Sequence, residues 1–117
     1  MKYMLLIYGD EAARANVTRE DIQAEGDAYE AFTKSIVESG NFLDGDPFEA
    51  TGNATTVSIR DGKTQTTPGP VEQTKLQLSA YYKVEAESPE QAVEMASRIP
   101  GARRGFIEVR PVWNFEL

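Results

Sequence analysis

At 117 residues, with 40% apolar and 26% charged side chains, the chain has the composition of one folded domain, residues 1–117. Its core must be thin, so burying a sheet face against a second copy would stabilise it. Cysteine and histidine are absent, which excludes disulfides, thiolate nucleophiles, zinc–thiolate sites, histidine-dependent triads and imidazole proton transfer, and a net charge of −7 argues against nucleic acid and anionic membrane as partners.

Lys2 to Tyr8 reads as a strand that is apolar on both faces, with Tyr3, Leu5 and Ile7 on one and Met4, Leu6 and Tyr8 on the other. Such a strand expects cover on both sides, the first sign of a dimer. The run is too short for a signal peptide or a membrane span, and Asp10 and Glu11 follow at once, so a cytoplasmic protein is expected. The sequons at Asn16-Val17-Thr18 and Asn53-Ala54-Thr55 then count as chance matches.

A helix should follow. Thr18 and Asp21 approximate a capping box, Ile22, Tyr29, Phe32 and Ile36 recur at helical spacing, and Ser39-Gly40 supplies a stop. Gly26 weakens this pattern by about 1 kcal/mol relative to alanine and allows a kink or a late start. Asn41 to Gly52 reads as a turn-rich loop with Phe42, Leu43 and Phe48 tucked beneath it. Within it Asp44 and Asp46 form a close acidic pair, a pattern that can split two pKa values between acid and base roles but more often forms Asx turns.

Thr55 to Ile59 and Lys63 to Thr67 flank Asp61-Gly62, a strong two-residue hairpin signal. Pro68-Gly69-Pro70 breaks regular structure, and Lys75 follows beside Glu72. A desolvated lysine there could act as a base or form a Schiff base, although an exposed loop lysine is far commoner. Leu76, Leu78, Ala80, Tyr82 and Val84 alternate with polar residues and with Tyr81, as in a half-buried strand. Ser88-Pro89-Glu90-Gln91 starts a second helix with a buried stripe of Ala92, Val93, Ala96 and Ile99, and Arg98 sits in its last turn. Phe106 to Trp113 closes the chain as a strand.

The order β-α-loop-β-β-β-α-β predicts an α+β, ferredoxin-like antiparallel sheet carrying an extra hairpin. Right-handed crossovers would put both helices on one face. With Ile107, Val109 and Trp113 turned to the helices, Phe106, Glu108 and Arg110 share the other face with Met4, Leu6, Tyr8 and Tyr81. That surface suits either a ligand cleft or a dimer interface with a buried ion pair. Charge is uneven as well. Asp10 to Glu49 holds eleven acids and three bases, whereas Arg98 to Arg110 holds four arginines and one glutamate. Most such asymmetry is solvated surface, but the two regions could pair across an interface, and Arg103 and Arg104 could hold a small anion or equally face solvent.

The opening Met1-Lys2-Tyr3-Met4-Leu5-Leu6-Ile7-Tyr8, Arg60-Asp61-Gly62-Lys63, Gly69-Pro70-Val71-Glu72-Gln73-Thr74-Lys75, the pair Tyr81-Tyr82 and the ending Arg98 to Val112 together resemble the YCII-related family, in its branch named for an Asp-Gly-Pro-Phe motif. The resemblance spans nearly the whole chain and implies a dimeric α+β barrel, two ferredoxin-like sheets packed face to face. It further implies an enzymatic role suggested for some relatives from a histidine and an aspartate, and an association of others with sigma factors. Here Pro68-Gly69-Pro70-Val71 stands where Asp-Gly-Pro-Phe is expected, and the histidine is missing, so that role does not carry over. The expectation is a homodimer without metal or cofactor, non-catalytic or binding a small molecule in its cleft. The ligand-facing candidates are Tyr8, Asp44, Lys75, Tyr81, Glu108 and Arg110. The alternatives are a small-molecule enzyme using tyrosine, carboxylate and arginine groups, or an interaction module beside a transcription factor.

Overall fold

Antiparallel pairing on both sides of the first strand organises the chain. The computed structural model describes residues 1–115. Its strands and helices are β1 (Lys2–Gly9), α1 (Arg19–Glu38), β2 (Phe42–Pro47), β3 (Thr55–Arg60), β4 (Lys63–Pro68), β5 (Gln77–Glu85), α2 (Pro89–Ser97) and β6 (Phe106–Pro111). Four strands form one sheet in the order β2-β5-β1-β6, and β3 and β4 pair separately. This is the ferredoxin-like α+β plan, with a hairpin inserted between β2 and β5.

The core lies on one face of the sheet. Tyr3, Leu5 and Ile7 of β1 are buried against Phe32 and Ile36 of α1 and Ala92, Met95 and Ala96 of α2. Burial of each large apolar side chain contributes about 1.5–3 kcal/mol, so this single layer carries most of the stability. Thr33 and Tyr82 share a hydroxyl hydrogen bond of 2.7 Å at its edge, and Tyr82 meets the Phe32 ring edge-on at 5.2 Å.

Local signals act where the sequence puts them. The Thr18–Asp21 capping box forms in full, and α1 then runs unbroken through Gly26. At its end the Asn41 and Gly40 N–H groups donate to Ile36 and Val37 carbonyls, with Gly40 left-handed at φ +80°. Ser88 accepts from the Gln91 N–H, while the Gln91 side chain reaches back to the Glu87 N–H. Asp61 and Gly62 take φ of +51° and +74°, as a type I′ hairpin turn demands.

Several expectations are corrected. The segment after α1 is not a plain loop: Phe42–Pro47 is an edge strand on β5, bulged between Phe42 and Asp44. Hence Asp44 and Asp46 are strand residues and not turn formers. A second bulge, between Ile7 and Tyr8 in the β1–β5 register, pairs Tyr8 with Leu78 and turns Leu78 away from the face that holds Ala80, Tyr82 and Val84. In α2 the buried stripe takes Met95, while Val93 is 55% exposed. Finally, β6 stops at Pro111, and Trp113 lies beyond it, 81% exposed and resting against Phe115. Ile22, in the first turns of α1, also faces solvent.

Candidate functional site

The sheet face opposite the helices is uncovered and has a readable grid. Met4 lies between Lys83 and Arg110, Leu6 between Tyr81 and Glu108, and Tyr8 between Leu78 and Phe106. On the far side of β5, Asp44 pairs with Lys83 and Asp46 with Tyr81. An apolar column down β1 is thus flanked by charge at one end and by apolar and aromatic side chains at the other. Phe106 is 67% exposed, which for a phenylalanine on a sheet is a large unburied surface.

Tyr81 is the organised group of this face. Its ring stacks on Phe48 at 5.8 Å and 30°, and its hydroxyl donates to the Asp44 carboxylate at 2.8 Å. The Asp44 hydrogen bond, desolvation, and the negative charges of Asp44 and Asp46 together hold the Tyr81 phenol above its ordinary pKa of 10.0. At neutral pH the group is therefore a fixed O–H donor. Beyond Phe48 lies a shallow depression of about 490 Å³, lined in part by Ala50, Thr51, Pro70 and Leu78. Glu11 fixes one wall of it, accepting from the Thr51 N–H at 2.9 Å and from its hydroxyl at 2.7 Å.

Of the six candidates, Tyr8, Tyr81, Glu108 and Arg110 share the open face, and Asp44 joins them from the edge strand. Glu108 and Arg110 form an ion pair with each other at 3.0 Å, and both are well exposed. An exposed pair of this kind contributes about 0–1 kcal/mol. Lys75 stays apart: it is exposed in the segment before β5 and forms no ion pair among the described residues. Phe48 and Leu78 belong to the face but were not among the candidates. Phe48 reads as an apolar residue in a loop, and the bulge that reverses Leu78 leaves no trace in the alternation.

The acidic and basic stretches meet within one chain. Glu25 of α1 receives Arg14 at 3.1 Å and Arg104 at 3.5 Å. Arg98 is committed too, bonded to Glu94 at 2.7 Å and to the Ser35 hydroxyl at 3.0 Å, and lying over the Phe32 ring. Arg103 and Arg104 are both exposed, as solvent-facing charges would be, and Arg104 turns to Glu25 and not to a site shared with Arg103. Among the described residues no three carboxylates converge on a point where a metal ion could sit, and no helix is long and apolar enough to cross a membrane.

The YCII-related domain matches residues 1–116. The chain belongs to the YCII-related family. It is also similar to an uncharacterised protein of Rhizobium meliloti (strain 1021), with 28% identity over 114 residues that cover 96% of this chain and 92% of the other. In this YCII-related domain the Pro68-Gly69-Pro70 segment closes the base of the hairpin. Gly69 is buried with φ +99°, and its N–H donates to the Ala54 carbonyl at 2.7 Å.

Proposed function

We propose that this YCII-related protein, of the branch named for Asp-Gly-Pro-Phe, is a cytoplasmic homodimer that binds a small organic molecule between the open sheet faces of two copies, without a cofactor and without catalysing a reaction. The observation that carries this reading is the half-buried apolar column of Met4, Leu6 and Tyr8 on the open face, with Phe106 exposed beside it and one preorganised polar pair, Tyr81–Asp44, at its margin. Mostly apolar surface with a few placed polar groups is the usual make-up of a ligand site.

The non-catalytic part rests on where the protons are. A general acid or base works best with a pKa near neutrality, and Tyr81 is moved the other way, its proton engaged by Asp44. Glu108 is held in an ion pair with Arg110 at 3.0 Å. The test combines sedimentation equilibrium with NMR-monitored titration of a metabolite library. The expected result is a dimer in which Leu6→Glu causes dissociation, and a ligand whose binding shifts the Tyr81 and Phe106 signals. A monomeric wild type, or shifts confined to the helical face, would overturn the proposal.

A further inference from the structure

The ferredoxin-like plan has no use for the β3–β4 hairpin. Neither strand joins the main sheet, and neither packs appreciably on any other element. The hairpin accordingly extends the molecule to 48 × 48 × 18 Å, with a radius of gyration of 16.4 Å. A compact chain of this length has a radius of gyration of about 13 Å. Its direction is fixed at the base, where the Thr56 hydroxyl donates to the Gly69 carbonyl at 2.8 Å and Pro68 and Pro70 flank the glycine.

One face of this hairpin is uncharged and mostly β-branched. Val57 pairs with Thr66 and Ile59 with Thr64, and the two aliphatic side chains are 60% and 64% exposed. A two-stranded hairpin alone is marginal in water, and an uncovered β-branched face invites association. The tip differs: it carries Arg60 and Lys63 against Asp61, a basic excess on an acidic protein.

We infer that this hairpin is an arm that closes over a second copy of the chain, laying Val57 and Ile59 on the partner and walling the open sheet face, so that the ligand cleft is bounded by residues of both copies. The inference rests on the homodimer proposed above. Area is the first argument. Four strands at their usual spacing make a face of about 19 × 24 Å, roughly 450 Å², whereas a stable interface takes about 800 Å² from each partner. An arm of two six-residue strands adds a footprint of about 10 × 20 Å, roughly 200 Å². Charge is the second: Asp44 and Asp46 line the exposed edge strand β2, and Glu49 follows it, an acidic margin that complements the basic tip of a second copy's arm. Position is the third, since Ala54 and Pro70 at the arm's base share a depression with Phe48 and Leu78 of the open face.

The chain has no cysteine, so Ile59→Cys carries a benzophenone label at a single site. Irradiation of a mixture of light and heavy isotopically labelled protein is expected to give mixed-isotope adducts between copies. In parallel, Val57→Lys/Ile59→Lys is expected to weaken dimerisation about tenfold or more while leaving the monomer's melting unchanged. Adducts only within one copy, or an unaltered dimer dissociation constant in the double variant, would overturn the arm while leaving the dimer intact, as Leu6→Glu would verify separately. A wild type that is monomeric removes the dimer reading and the arm together.

Discussion

The Tyr81 hydroxyl and the Asp44 carboxylate meet at 2.8 Å across the β2–β5 pair, although the strand register sets Asp44 against Lys83. The bond is therefore diagonal, and it ties an edge strand of unfavourable composition to the centre of the open face. It also makes Tyr81 a reporter of that face. Replacing Asp44 by asparagine removes the largest cause of the raised pKa and should return the Tyr81 phenol toward 10.0. Asp46→Asn should do less, since Asp46 acts mainly through its charge. NMR titration of ring-labelled tyrosine reads both. An unmoved Tyr81 in Asp44→Asn would mean that the bond does not persist in solution.

Two other phenols, Tyr29 and Tyr82, should lower stability at alkaline pH. Burial is the main cause that raises both Tyr29 and Tyr82, opposed by the Gly101 N–H bond in the first and the Thr33 hydroxyl bond in the second. In the unfolded chain these tyrosines ionise near 10, before the folded ones do. Their contribution is therefore fully present below about pH 10 and is lost as pH rises through the higher folded values. Denaturation midpoints measured from about pH 8 to pH 11 should fall at the alkaline end. Tyr82→Phe should lessen that fall, at a cost of about 1 kcal/mol at neutral pH for the lost Thr33 partner. Equal alkaline loss in wild type and variant would refute the assignment to Tyr82.

How much of this could be read from sequence depends on whether the cause was local. The Thr18 cap, the Ser88-Pro89 start and the Asp61-Gly62 turn are set by a few adjacent residues, and all three form as expected. The two-faced first strand announced an uncovered sheet face, because its pleat alone decides which side each residue takes. The edge strand β2 was not legible: Asp44-Gly45-Asp46-Pro47 has turn composition, and only pairing with β5 makes it extended. Leu78 was misassigned because one bulge shifts the pleat by a residue, a property of two strands together. The candidate site suffered most, since Phe48 reaches Tyr81 only through that edge strand.

Adjacent residues on α1 give a sharp check on which face of the helix is buried. Ile36 is fully buried, while Val37 is 53% exposed. Ile36→Ala should cost about 2–5 kcal/mol through lost burial and the cavity left behind. Val37→Ala should change stability by about 0.5 kcal/mol or less. Urea denaturation of the two variants decides it, and comparable losses would mean that the helix is rotated.

Two glycines should respond to alanine with opposite signs. Gly105 precedes β6 where the chain crosses the end of β1, and its N–H donates to the Gly101 carbonyl at 2.9 Å. A Cβ built there would lie 2.0 Å from the Tyr8 carbonyl oxygen and 3.3 Å from the Gly9 Cα. Those are backbone atoms and cannot swing aside, so the turn must lift and strain the Tyr8–Phe106 pairing that starts β6. The cost is one of space and not of conformation, and overpacking of this kind is worth about 2–3 kcal/mol. Gly26 is the converse: it sits inside α1 with nothing within 4 Å of a built Cβ. Alanine there restricts the unfolded chain and favours the helix, for a gain of about 0.5–1 kcal/mol. At about 4–8 °C per kcal/mol for a domain near this size, calorimetry should resolve both shifts. If Gly105→Ala melts with the wild type, the strand β6 does not approach β1 through this turn, and the register that places Phe106, Glu108 and Arg110 on the open face loses its anchor.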